Sequence, residues 1–73
     1  MSKIYETKEW KGFGKQNYYW NEYDLEDDTV TKSKCSRIKT FDSDGSYWAY
    51  DKKKVDSWST DDSNMPEWLN KYL

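Results

Sequence analysis

The chain has no histidine, one cysteine and one proline among its 73 residues. Each shortage removes an option. Without histidine, no His/Cys zinc site can be assembled, and no side chain has an unperturbed ionisation near neutral pH. With Cys35 as the only thiol, no intrachain disulfide can form. A lone thiol suits a reducing compartment and leaves a cross-link between chains as its one route to a disulfide. No apolar run approaches the roughly 20 residues of a membrane helix. The stretch Met1-Ser2-Lys3-Ile4-Tyr5-Glu6 lacks the apolar segment of a secretory signal. A cytoplasmic protein without a membrane partner is expected.

Aliphatic residues are also scarce. Ile4, Leu25, Val30, Ile38, Val55, Leu69 and Leu73 are the whole stock of Ile, Leu and Val, against five Trp, seven Tyr and two Phe. A chain this short makes one domain, and it buries only about 60–65% of its unfolded surface. Neither disulfides nor a His/Cys zinc site can supplement that core. Each aromatic side chain can bury roughly 150–250 Å², so tryptophan and tyrosine must supply the interior. A homodimer would help to bury the surplus. Charged residues make up 36% of the chain, but disordered chains are poor in aromatics, and the composition predicts a folded domain.

The net charge of −2 is distributed in alternating segments. Residues 21–28 carry five acids and no base, whereas residues 29–41 carry Lys32, Lys34, Arg37 and Lys39 and no acid. Lys52-Lys53-Lys54 lies between two acidic stretches. Such alternation suits neighbouring strands paired by charge and makes no single large basic face. It also weakens any reading of the acids as a mimic of DNA phosphates. The ten-residue spacing of the tryptophans is not a repeat, because their flanks share nothing.

The pattern predicts strands at about 3–10, 16–26, 29–41, 46–51 and a short one at 55–58. A loop is expected at Lys11-Gly12-Phe13-Gly14-Lys15, where two glycines disfavour regular structure. Within 16–26, Tyr19, Tyr23 and Leu25 share one face, and Tyr18, Trp20, Glu22 and Asp24 the other. If Asp27-Asp28 is a two-residue loop, Leu25 lies opposite Val30, Trp20 opposite Cys35 and Glu22 opposite Ser33. Asp42-Ser43-Asp44-Gly45 is a hairpin turn; its resemblance to a calcium loop is weak, since Thr40 and Asp51 occupy the places of the outer ligands. Lys52-Lys53-Lys54 is expected at an exposed edge or in a loop. After the loop at 61–66, Pro66 is predicted at the first position of a helix of about two turns, over 66–72. Trp68, Leu69, Tyr72 and Leu73 then fall at helical spacing. The expected fold is α+β or mostly β: an antiparallel meander of three to four strands, open or curled into a small barrel, with a short C-terminal helix.

No catalytic, metal or cofactor-binding constellation emerges. A base working at neutral pH would have to be a strongly shifted carboxylate or lysine, and a small domain has little interior in which to shift one. Cys35 has no histidine to activate it. A non-enzymatic binding protein is expected. Lys11-Gly12-Phe13-Gly14 matches only the opening of an RNA-recognition strand motif, and the positions that follow depart from it. Both Tyr18-Tyr19-Trp20 and Tyr47-Trp48-Ala49-Tyr50 place aromatics on both faces of a strand. One short helix can cover only one face, so the other set becomes available for contact. Tyr18, Trp20, Trp48, Tyr50, Arg37, Lys39 and Trp58 are the candidate partner-binding residues. A protein partner is favoured because Trp and Tyr dominate interface hot spots. Single-stranded nucleic acid, stacked on the aromatics with lysines along its phosphates, is the alternative.

In overall manner the chain is similar to small early or accessory proteins of T4-like bacteriophages: tiny, rich in Lys and Asp and in Trp and Tyr, without histidine or disulfides. That resemblance implies a stoichiometric binder that inhibits or modulates a host or phage macromolecule. It carries over no functional residue.

Overall fold

Strand β3 (Asn17–Glu26) and strand β4 (Thr29–Asp42) are joined by the two acidic residues Asp27 and Asp28. The tight reversal needs a left-handed residue, and Asp27 takes it at φ 52°. Aspartate is among the side chains that tolerate this region best. The computed structural model describes residues 2–12 and 16–73. Phe13, Gly14 and Lys15 of the expected glycine loop lie outside the described residues.

The two-residue turn sets the whole register between β3 and β4. Leu25 faces Val30, Glu22 faces Ser33 and Trp20 faces Cys35, as the turn chemistry predicts. The second hairpin turns at Ser43-Asp44. Asp42 pairs with Gly45, which adopts φ 129°, and the Asp44 N–H donates to Asp42 Oδ1 at 2.8 Å. Strand β5 (Gly45–Ser59) then returns along the full length of β4.

This corrects one expectation. The strands expected at 46–51 and 55–58 are a single strand that runs through Lys52-Lys53-Lys54. The reason is an irregularity: Lys32 pairs with Asp56 but Ser33 pairs with Lys54, so Val55 is an extra residue. A bulge of this kind interrupts the alternation by which a strand is read from sequence.

On the other side of β3, strand β1 (Ser2–Glu6) pairs with its C-terminal half and strand β2 (Trp10–Lys11) with its N-terminal half. The strand expected at 3–10 is thus broken in two, and Lys11 belongs to a strand. Thr7 makes the break. Its N–H donates to the Asn21 carbonyl, and its Oγ1 accepts from the Asn21 N–H, both at 2.9 Å. The sheet order is β1-β3-β4-β5 with β2 beside β3. The sheet is open, and no barrel forms among the described residues.

The core lies on one face, at the end near the Asp27-Asp28 turn. Tyr23, Val30, Met65 and Leu69 are buried, with Ile4, Tyr5, Leu25 and Trp58 packed against them. The pairing shift between Lys3 and Tyr5 lets Ile4 and Tyr5 both join this face. The chain returns beneath the sheet through 60–66. It ends in a 3-10 helix (Glu67–Tyr72) that seats Leu69 in the core. Pro66 is the N-cap, one place before the position expected for it, and Leu69 N–H donates to its carbonyl at 3.1 Å. Six residues exceed the usual 3-10 run of about three to four, so packing through Leu69 must hold this winding. Trp68 meets Tyr5 and Tyr23 edge-on, with ring centroids 4.9 and 5.1 Å away. The expectation that tryptophan and tyrosine supply the interior is met only in part. Among the described residues Tyr23 is the one buried aromatic and no tryptophan is buried; Tyr5, Trp58 and the 42% exposed Trp68 pack around a centre of Val30, Met65 and Leu69.

The molecule is long, 50 × 21 × 16 Å. Fifteen residues at about 3.3 Å each span about 50 Å, so β5 alone accounts for the long dimension. Asn17 pairs with Ile38, the last β4 residue that β3 reaches. The Lys39 N–H still donates to the Gln16 carbonyl at 3.2 Å, and beyond it the β4–β5 hairpin continues as a two-stranded ribbon.

Candidate functional site

Side chains alternate across a sheet, so strand register decides which residues meet. Tyr18 pairs with Arg37 and Arg37 with Tyr50, making one row across β3, β4 and β5. Lys39 pairs with Trp48 in the next row, and Trp20 with Cys35 and Lys52 in the row on the other side. These positions share a parity, and they occupy the face opposite Tyr23 and Val30. Six of the seven residues singled out from sequence (Tyr18, Trp20, Arg37, Lys39, Trp48 and Tyr50) thus stand together. Trp58 does not. It pairs with Val30 and packs against the core on the other face.

Arg37 is the centre of the arrangement. Its guanidinium carbon sits 4.4 Å from the Tyr18 ring centroid and 4.5 Å from that of Trp48. The two rings are 6.0 Å apart and tilted by 58°. Glu9 holds the guanidinium from the side: Nε donates to Oε2 at 2.7 Å and Nη2 to Oε1 at 2.8 Å. This two-pronged geometry fixes orientation as well as charge. The hydrogen bond from Arg37 holds the Glu9 carboxyl below its usual range, and Glu9 in turn raises the Arg37 pKa. Lys39 Nζ lies 5.9 Å from the Trp48 ring. Tyr50, 69% exposed, and Phe41, 67% exposed, extend the apolar strip toward the hairpin tip.

A second, polar group adjoins it. Trp20 Nε1 donates to Glu22 Oε2 at 2.7 Å. Lys52 Nζ reaches Asp24 Oδ2 at 3.0 Å and Glu22 Oε1 at 3.4 Å. Burial would push the Glu22 carboxyl up, but hydrogen bonds from Trp20 and Cys35 and the charge of Lys52 outweigh it and leave it below its ordinary value. Burial pushes the Cys35 thiol up to about 11, and its hydrogen bond to Glu22 adds to the shift. Cys35 is buried, so the cross-link between chains that the sequence allows has no accessible sulfur.

This makes one expected result. At pH 8 a thiol of pKa about 11 holds about a hundredfold less thiolate than an unperturbed one, and thiolate is the reactive form. Cys35 in the folded protein is expected to resist iodoacetamide at that pH and to react fully in denaturant. Mass spectrometry of the alkylated fraction checks it; equal labelling in both conditions would place Cys35 outside the protected site.

Two members of the site carried no sequence signal. Glu9 is 28 positions from Arg37, and only the folding of the N-terminal segment against β3 brings them together. Phe41 is the last residue of an expected strand and gains its place in the strip only through the hairpin register. Among the described residues no helix is long and apolar enough to cross a membrane. Compared with known proteins, the chain matches no family model, no curated protein and no solved structure.

Proposed function

We propose that this chain is a small non-enzymatic protein that acts by stoichiometric binding of a protein partner through the open face of its sheet. One observation carries the reading: Tyr18, Trp20, Arg37, Lys39, Trp48 and Tyr50 share the face opposite the helix. Large rings around a pre-oriented arginine are the residues that dominate interface hot spots. Glu9 and the flanking rings fix the Arg37 side chain before any partner arrives, which lowers the ordering cost of association. In the setting that the phage-like composition implies, the partner would be a host or phage protein, and binding would inhibit or modulate it.

Single-stranded nucleic acid is the second reading, favoured by the alternation of rings and cations along the strip. Charge weighs against it. Arg37 is paired with Glu9, and Lys52 with Asp24 and Glu22, so two of the cations on this face are matched by carboxylates of the same chain.

Immobilised protein should retain one protein in stoichiometric amount from host lysate treated with nuclease. The double variant Trp48→Ala, Tyr50→Ala should weaken its retention by about thirtyfold or more, since even one hot-spot truncation costs at least ~2 kcal/mol. Both residues are exposed, so the fold should survive the change. Equal retention by the variant would refute the open face as the site. Tight binding of a single-stranded oligonucleotide that weakens steeply with salt would transfer the function to the second reading.

A further inference from the structure

Strand β5 is an edge of the sheet. Among the described residues nothing pairs with its outer side, and along that side alternate residues turn their N–H and C=O groups outward. Natural proteins guard such edges with lysines and bulges. The C-terminal half of β5 has both, in Lys52-Lys53-Lys54 and the extra Val55. The N-terminal half, Gly45-Ser46-Tyr47-Trp48-Ala49-Tyr50-Asp51, has one charge, no proline and no bulge. It also includes Tyr47, Trp48 and Tyr50, all exposed.

We infer that this segment pairs with the same segment of a second copy, antiparallel and centred on Ala49, to make one sheet continuous across a two-fold axis. The register follows from self-complementarity. Centred there, Trp48 lies opposite the partner's Tyr50, and Tyr50 opposite the partner's Trp48, so two aromatic cross-strand pairs form at once. Tyr47 lies opposite the partner's Asp51, and the small Ala49 meets its own copy on the axis. Lys52 and Lys53 fall opposite serine and glycine, and Lys54 falls beside the partner's Asp44 in the hairpin turn. A centre moved three residues toward the lysines would set Lys52 against itself, which like charges disfavour. The lysine triplet thereby ends the pairing as well as guarding the edge.

A two-fold axis normal to the sheet keeps both open faces on the same side. The row Tyr18–Arg37–Tyr50 then continues into the partner's Trp48 and Lys39, so each copy supplies part of the other's strip. The dimer does not rest on the proposed partner binding, because it is measured with the purified protein alone.

Sedimentation equilibrium over a range from micromolar to hundreds of micromolar should show the mass rising from 8.9 kDa toward twice that value. Ala49→Lys should raise the dissociation constant by about tenfold or more, since it opposes two like charges on the axis, while leaving the far-UV circular dichroism unchanged. Under mild oxidation, Ala49→Cys should form a disulfide-linked dimer much faster than Ser59→Cys at the far end of the same strand; the buried Cys35 stays silent in both. A constant mass of 8.9 kDa across the range, or equal cross-linking at positions 49 and 59, overturns the proposal. Should Ala49→Lys disturb the fold, the cross-linking comparison decides alone.

Discussion

Shortening Leu69 to alanine is expected to cost about 2–5 kcal/mol, the range for deleting a fully buried leucine side chain. Leu69 is 0% exposed and belongs to a core of few buried residues. At roughly 0.05–0.15 kcal/mol per residue, a domain of this length holds only about 4–11 kcal/mol in all. The variant should therefore lose a large part of its stability and melt at a much lower temperature. The loss should be cooperative, because Leu69 also anchors the helix that carries Trp68 onto Tyr5 and Tyr23. Phe41→Ala is the contrasting change. Phe41 is larger but 67% exposed on the ribbon, and surface changes of this kind usually stay within about 0.5 kcal/mol. Urea titration followed by tryptophan fluorescence measures both. A Leu69→Ala midpoint close to that of the unmodified protein would show that the sheet holds together without its helix.

Lys52→Met is expected to destabilise the fold by about 1–3 kcal/mol at pH 7, by leaving a buried carboxylate without its cation. Asp24 is only 6% exposed, and Lys52 lies 3.0 Å from it and 3.4 Å from Glu22. The lysine side chain is itself 47% exposed, which places the loss below that of a fully buried pair. The size of the effect should depend on pH through Glu22. Its folded pKa is depressed, so its contribution is complete above the ordinary carboxylate value of about 4.3 and is lost as the pH falls through the lower folded value. Lys52 is part of what depresses it. The gap between the variant and the unmodified protein should thus narrow on acidification from pH 7 to about 3. Urea midpoints at the two pH values test this, and a gap that widens in acid would remove Lys52 from the network.

Much of the architecture is legible because turns and alternation are local. Alternation along β3 divides Tyr19 and Tyr23 from Tyr18 and Trp20, and Asp27-Asp28 determines the β3–β4 register that sets which β4 residues join each face. The separation of two aromatic faces followed from the same counting. What resisted reading was non-local or irregular. The extra Val55 breaks the period within β5, so a strand of 15 residues resembles two short ones divided by a basic loop. Three successive lysines look like solvent-exposed coil, yet at a sheet edge they cost the strand little. Trp58 has the same residue type and flanking polarity as a surface aromatic, and only its pairing with Val30 puts it against the core. Glu9 could not be assigned at all, since its partnership with Arg37 depends on the break in the N-terminal strand that Thr7 and Asn21 create. The helix was placed correctly, but its winding was not: the four-residue spacings Trp68–Tyr72 and Leu69–Leu73 suit an α-helix, whereas a 3-10 helix aligns residues three apart.

The hairpin that continues past Ile38 has a further consequence, for time and not for shape. An isolated two-stranded ribbon is marginally stable in water. The amides of residues 40–47 are therefore expected to exchange through local fraying at far smaller free energies than those of the core near Leu69, which should exchange only when the whole domain unfolds. Phe41 and Tyr47 sit on the part that frays, while Trp48 stands at its root against Tyr18 and Arg37. A partner of the kind proposed that closed over both would have to still the ribbon as it bound, and the lifetime of such a complex would be set in part by how often these strands part.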